Sequence, residues 1–491
     1  MIIRSDKDTI ISYLEDSSNL RGGYAERVLV PESEEDLVMA LREANDGKIS
    51  VTVSGGGTST TGSRVPFGGI IISTEKFNNI KELNSRLMRC TVGSGVLVET
   101  LKSAADEADM FYTSHPTERN AFLGGTIATN ASGSRSFKYG PTRKSVTRLK
   151  MALATGEIVE LRRGEKIFTR SDSSIKTADG RKIIIPLPSY KMPDIKNSAG
   201  YFAGEGSDAI DLFIGQEGTL SVMIEADLVM VKKPHEIFSC FAFFKSEEDS
   251  WNFCDAAKSG GFPDLLSIEY FGSKAVDILR EKRSDIPAGA RAAIFFEEER
   301  PKGGLLDGAQ SWIKVIESSG GSVDDTWVAM SEKEAVNLTE LRYSIPETIN
   351  EITRKSGFRK LATDIAVPKA YLREMMLFYR ARLESSGLRH VVFGHIGEDH
   401  VHVNIIPASE MEFQKAYGIA LEFIAKGVSL GGTVSAEHGI GKLKHKFLEM
   451  MYGPAGIAEM VRIKRALDPN CILGVGNIFP KEKLSLPYDI G

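Results

Sequence analysis

Apolar residues recur along this chain in two periods, and the way they are combined changes near residue 234. Arg27–Val30 reads as a short strand stopped by Pro31. A helix follows, because Ser33 and Asp36 approximate a capping box and Leu37, Ala40, Leu41 and Ala44 recur at helical spacing. Ile49–Val53 and Gly69–Ser73 are the next strands, and a strand around Cys90–Val92 leads into the helical stretch Leu97–Ala108. Strand and helix thus alternate up to about residue 230, with glycine at the strand ends. The stretch Arg162–Tyr201 interrupts this alternation with charge, serine and proline, and is expected to be a long loop or insertion of the functional or mobile kind. Beyond Pro234 the units become α+β in type, with a strand at Ile237–Phe244 and helices over Glu247–Ser259, Thr339–Ser356 and Ala370–Ser385.

The strictest alternation lies in Val391–Pro407. His400, His402 and Asn404 are polar, while Val401, Val403 and Ile405 between them are apolar. Alternate residues of a strand share a face, so the two histidines and the asparagine form one wall. Gly397-Glu398-Asp399 supplies turn chemistry, Val391–His395 reads as the partner strand, and such a hairpin returns His395 toward His402. Imidazoles on one wall suit a divalent metal such as zinc or manganese. A solvated polar strand face is the competing reading.

At 491 residues the chain is long enough for two or three domains. Its 42% hydrophobic and 26% charged residues are those of a soluble enzyme, and a net charge of -5 speaks against a nucleic-acid binder. The 4 cysteines are scattered with no CxxC pair, so the chain encodes no iron–sulfur or cysteine-rich zinc site and fits a reducing compartment. The N-terminus has no apolar signal region and no run approaches a membrane span. A cytoplasmic location is expected, with a peripheral membrane contact left open.

Three glycine-rich elements follow strands. Ser54-Gly55-Gly56-Gly57-Thr58-Ser59-Thr60-Thr61-Gly62 brings backbone N–H groups together without Cβ interference and contains no lysine or arginine. That favours a pyrophosphate held by amides. The spacing is neither GxGxxG nor a P-loop, because Thr60 replaces the third glycine of the former and Ser63-Arg64 the Lys-Ser/Thr of the latter. The second element is Leu123–Ser134 and the third Phe213–Val222. Each alone also reads as a plain loop. One large, flat ligand bearing a diphosphate explains all three together.

These elements resemble the FAD domain of the vanillyl-alcohol oxidase and p-cresol methylhydroxylase flavoproteins. The branch indicated is that of the glycolate oxidase D-subunit, D-lactate dehydrogenase and D-2-hydroxyglutarate dehydrogenase. Gly394-His395-Ile396-Gly397 with His402 and Asn404 is similar to its GH(I/L)GDGN(L)HxN motif, and Gly431–Gly441 to its GG(T/S)xSGEHGIG motif. The resemblance covers about residues 20–482. It implies an α+β fold: a two-subdomain FAD-binding domain of p-cresol methylhydroxylase type over 1–233, then an α+β, ferredoxin-like substrate or cap domain over 234–430, with 431–491 returning to the flavin.

The resemblance also implies roles for individual residues. Ser54, Gly55, Gly56, Gly57, Thr58 and Ser59, with Gly62 and Ser63, would contact the FAD pyrophosphate. Pro116, Thr117, Gly124, Gly125, Ala128, Thr129 and Ser134 would form a second set of contacts, and Glu217, Gly218 and Val222 a third. The FAD is expected to be non-covalent, His115 being a polar neighbour. His395, His402 and Glu437 would hold the divalent metal, zinc or manganese. His438 would be the general base, and Arg342 and Asn404 would meet the substrate.

The chain departs from the pattern in three places. His400 stands where the family has a small amide, either adding a ligand or altering substrate fit. Gly474 replaces a flavin-contacting asparagine, for which Asn477 is the substitute. Ala362 occupies the usual lysine position before Asp364, leaving Lys360 either to reach in or to stay on the surface.

The implied reaction is FAD-dependent, metal-assisted oxidation of a D-2-hydroxy acid of the lactate, glycolate or 2-hydroxyglutarate class, by hydride transfer to flavin N5. The acceptor would be a quinone, a cytochrome, an electron-transfer flavoprotein or an iron–sulfur subunit, and a homodimer is compatible with the reading. Two rival readings are a non-redox transferase resembling alkyl-dihydroxyacetone-phosphate synthase and a flavin subunit active only in a complex.

Overall fold

The computed structural model describes residues 1–114 and 118–485. Its first sheet has the order Ile2–Arg4, Arg27–Val30, Ile70–Ser73, Val51–Ser54, with the last three strands parallel. The helix Glu34–Asp46 connects two of them, capped by Ser33, whose Oγ accepts from the Asp36 amide as its sequence indicates. A second, antiparallel sheet runs Ile80–Asn84, Arg89–Gly93, Val222–Val229, Val146–Ala152, Ile158–Arg162. These two sheets are the two subdomains expected for flavin binding.

The third sheet is eight-stranded. Glu236–Phe244, Ala292–Arg300 and Leu265–Phe271 pair antiparallel in that order, and Leu265–Phe271 joins the hairpin His390–Gly394/His400–Ile405. Its central strands are buried along almost their whole length, because both faces are covered. Phe241, Phe271 and Phe295 pack with Ile345 of the long helix Glu332–Ser356 on one face. Phe238, Phe244 and Phe296 join the large core on the other. Among the described residues no helix is long and apolar enough to cross a membrane.

Arg162–Tyr201 is less irregular than its composition suggests. It forms a small hairpin, Ser174–Lys176 with Lys182–Ile184, and then runs back inward. The Ser198 amide donates to Ser435 O at 2.8 Å and Ser198 Oγ to Ala436 O at 3.1 Å. The insertion therefore reaches the middle of the molecule instead of staying at its edge.

The chain after residue 431 closes on the first sheet. The Val51 amide donates to Ile472 O at 2.7 Å and the Gly474 amide to Val51 O at 2.8 Å, so Leu473 lies beside Val51 like an added strand. Lys464 secures this closure: its buried ammonium donates to Thr219 O and Leu473 O, both at 2.8 Å, and to Asp468 Oδ2 at 2.9 Å. Lys464→Met leaves the buried Asp468 carboxylate without its counter-charge, held only by the amides of Ile472 and Leu473. We expect the free energy of unfolding in urea to fall by about 3–5 kcal/mol, and a loss below about 1 kcal/mol would contradict this reading.

Candidate active site

A single cleft is lined by Gly55–Thr60 and Ser63 of the first glycine loop, by Gly124, Gly125, Ala128 and Thr129 of the second, by Glu217 and Gly218 of the third, and by Glu437 and His438. The backbone amides from Gly55 to Thr60 donate to no protein acceptor among the described residues. A row of unpaired N–H groups at a strand end is suited to an anionic diphosphate, so the cleft fits FAD. Ser54, Gly62, Ser134, Val222 and Asn477 do not line it. Val222 is a buried strand residue between Ser221 and Met223, which do. Asn477 supports the wall from behind, donating to Glu217 O at 2.9 Å and Ser63 O at 3.0 Å. Pro116, Thr117 and His115 lie outside the described residues.

Arg64 is a cleft residue the sequence reading did not assign. Its Nε donates to Ser54 Oγ at 2.7 Å and its guanidinium packs beneath Gly57. The first loop thus has a cation under it, supplied from just beyond the glycine run. Lys442 approaches the same loop from the far end of the chain, donating to Ser63 O at 3.3 Å and Asn477 Oδ1 at 2.6 Å. The Glu217 carboxylate joins this loop to the end of the chain: its Oε2 accepts from Ser63 Oγ at 3.2 Å. The carboxylate also accepts from the amides of Ile440 and Gly441, both at 2.7 Å, and so ties the segment after His438 to the cleft. Gly439, at φ +74°, is where these groups meet: a Cβ there would come within 2.8 Å of that carboxyl.

The histidine wall is buried. His395 and His402 face one another with ring centroids 5.4 Å apart. Gly394, at φ +128°, makes the approach feasible, since a Cβ there would lie 2.9 Å from His402 Cδ2. Glu437 Oε1 lies 3.3 Å from His395 Nε2 and 3.2 Å from His402 Nε2. Ligand atoms around an ion with bonds of about 2.0–2.1 Å in tetrahedral array are separated by roughly 3.3 Å. The donor set and its spacing therefore fit a divalent cation. His395 Nδ1 donates to Glu269 Oε1 at 2.6 Å, which fixes the ring and points Nε2 at Glu437. Burial opposes charge on His395, but Glu269 and Glu437 outweigh it and raise its pKa to about 9. His400 is completely buried, with its ring centroid 4.6 Å from that of His402 and 5.5 Å from that of His395.

Glu269 also accepts from Arg342, at 3.0 Å from Nη2 and 3.2 Å from Nε, and Nη1 of Arg342 makes no hydrogen bond among the described residues. Asn404 sits on the strand face of His402, and its side-chain amide likewise has no protein partner. Lys360 donates to Asn350 Oδ1 at 2.9 Å, on the helix Glu332–Ser356, and burial lowers its pKa to about 8.

His438 is the most accessible member of the cluster, with 34% of its side chain exposed. Its Nδ1 lies 3.2 Å from Asp364 Oδ2 and its Nε2 3.5 Å from Glu437 Oε1. Asp364 is fully enclosed. Burial works against its charge, yet His438 and Lys444 keep it well below the usual carboxylate range. Lys196 comes from the inward run of the insertion, with Nζ 2.8 Å from Glu398 Oε2 and 2.9 Å from Glu437 Oε2. Although burial favours the neutral amine, the two carboxylates keep it charged. Glu269 and Lys196 carried no role in the sequence reading, and nothing in their local patterns distinguishes them; Asp364 entered it only as the aspartate of Thr363–Pro368, a segment resembling the branch's KxDxxxP element, with no role assigned.

A family model described as the FAD linked oxidases, C-terminal domain, matches residues 233–478, and one described as the FAD binding domain matches residues 25–162. The chain is 29% identical to a D-lactate dehydrogenase of Archaeoglobus fulgidus, over 92% of this chain and 91% of that one. It is 26% identical to the glycolate oxidase subunit GlcD of Bacillus subtilis, over 93% and 89%. It is also 26% identical to a D-2-hydroxyglutarate dehydrogenase of Stutzerimonas stutzeri, over 97% and 96%. Among solved structures, an alkyldihydroxyacetonephosphate synthase superimposes with a TM-score of 0.68 at 14% identity, covering 96% of this chain and 82% of that one. The 4-ethylphenol oxidase of Gulosibacter chungangensis gives 0.69 at 17% identity, covering 98% and 95%. These two likenesses are of fold alone.

The unassigned cation under the first loop can be tested directly. Arg64→Met is expected to weaken FAD binding to the apoprotein by at least about tenfold, the loss of one charge-assisted contact, read by flavin fluorescence titration. An unchanged dissociation constant would remove Arg64 from the cofactor site.

Proposed function

We propose that this chain, which belongs to the FAD linked oxidases, oxidises a small D-2-hydroxy acid of the lactate, glycolate or 2-hydroxyglutarate class to the 2-oxo acid. The observation that carries the reading is that Glu437 and His438 line the same cleft as the glycine loops, so the acid–base group and the cofactor site are contiguous. The relatives named for these substrates match nearly the whole chain, which sets this reading above the transferase, whose likeness rests on the fold at 14% identity.

When bound, FAD supplies a hydride acceptor at N5, and a divalent metal held by His395, His402 and Glu437 supplies Lewis acidity toward the substrate hydroxyl. The chain's own groups do the rest. Arg342 has Nη1 left to hold the substrate carboxylate, while Glu269 fixes the other side of its guanidinium. Asn404 offers its free amide beside His402. Asp364 orients His438 through Nδ1, which directs Nε2 toward the substrate hydroxyl as the proton acceptor. The imidazolium that forms is stabilised by Asp364 and Glu437. Re-oxidation falls to a non-nicotinamide acceptor, since the chain has no dinucleotide fingerprint.

Anaerobic mixing of the holoenzyme with D-lactate, glycolate or D-2-hydroxyglutarate should bleach the flavin, while the L-acids should not. If none of these acids bleaches it, the reading fails. His438→Ala should slow that bleaching by about 10²–10⁴-fold while FAD stays bound, and a rate within about tenfold of the parent would remove His438 as the base. His402→Ala should lose the divalent metal by elemental analysis.

A further inference from the structure

We propose that His400 is a fourth protein ligand of the metal, so that this chain holds the ion through three imidazoles and one carboxylate. The proposal rests on the metal reading of His395, His402 and Glu437 and adds to it a residue outside that set.

His400 has no solvent exposure, yet its Nδ1 makes no hydrogen bond among the described residues. Nε2 faces Asp364 Oδ1 at 2.9 Å, so Nδ1 is the nitrogen left without a partner, at a cost of about 1–3 kcal/mol for an enclosed group. Its position explains how that cost is offset. His400 shares the strand face of His402, and one nitrogen of each of His395, His400 and His402 lies with a Glu437 oxygen inside a sphere whose members are all within 4.8 Å of one another. Asp364 Oδ1 is 2.9 Å from His400 Nε2, which places a carboxylate beside the ring as ligand histidines commonly have one. A buried His400 nitrogen within that group of two imidazoles and a carboxylate would be satisfied by a cation.

Three imidazoles and a carboxylate would by themselves supply the four donors of a closed site. A 2-hydroxy acid would add its hydroxyl and one carboxylate oxygen as two further donors. Such a site favours an ion at ease in octahedral geometry, such as manganese(II) or cobalt(II), over zinc in its usual tetrahedral structural form.

The test counts imidazoles. In the cobalt(II)-loaded, FAD-bound protein, each ligating imidazole contributes one exchangeable, hyperfine-shifted ring N–H resonance to the proton NMR spectrum. The expected result is three such resonances in the parent and two in His400→Asn, with cobalt affinity of the variant lower by about tenfold or more. Two resonances in the parent with stoichiometric cobalt bound would overturn the role of His400 and leave the three-residue site intact. No stoichiometric cobalt in the parent would overturn both. The parent spectrum decides the matter even if the variant fails to fold.

Discussion

The Asp364 carboxylate is the constraint on which the rest of the site depends. Its Oδ2 accepts from the His438 amide at 2.9 Å, from Ser435 Oγ at 2.7 Å and from Lys444 Nζ at 3.1 Å. Its backbone oxygen accepts from the Ala436 amide at 2.7 Å. A carboxylate this deeply buried is tolerated only when it is paired and hydrogen-bonded, and these donors satisfy that condition. Asp364 also sits between Leu361–Ala362 and Ile365–Ala366, both of which pair with His400–Ile405. One side chain therefore sets the distance between the strand that carries His402 and the turn that carries Glu437 and His438.

The charges around the wall are arranged in matched sets. Glu269 is held by Arg342 and His395, Glu398 by Lys196, and Asp399 by Lys258. Lys196 also takes Glu437 Oε2, which leaves Oε1 turned to the imidazoles. The second oxygen of the carboxylate is thereby occupied, and the face it presents to the histidines is single. Glu398 and Asp399, which look like simple turn residues in the sequence, anchor the hairpin to the insertion and to the helix Glu247–Ser259.

Much of this was legible from the sequence because it is local. The alternation of His400, His402 and Asn404, the Ser33 cap and the strands leading into glycine loops each express a short-range rule, and the structure has them at or within a few residues of the expected places. The unread part is nonlocal. Glu269 is 126 residues from its partner His395 and sits in a strand, LLSIEYF, buried at every position, so no period singles it out. Lys196 lies in a polar stretch where a lysine is by default solvated, and only the inward return of that stretch gives it two carboxylates. Arg64 was visible as an arginine beyond the glycine run, but its place beneath Gly57 depends on how the loop folds over it.

The docking of Leu473 beside Val51 has a bearing on how the protein is made. Chains emerge from the ribosome N-terminus first, and domains fold as they become available. The glycine loops lie within residues 54–222, while Glu437, His438 and Lys442 are made some two hundred residues later and are locked by contacts made after them. The nascent protein therefore passes through a stage in which the cofactor cleft exists without its acid–base wall. The loops that cradle the cofactor and the groups that act on the substrate are thus made at different times, in that order.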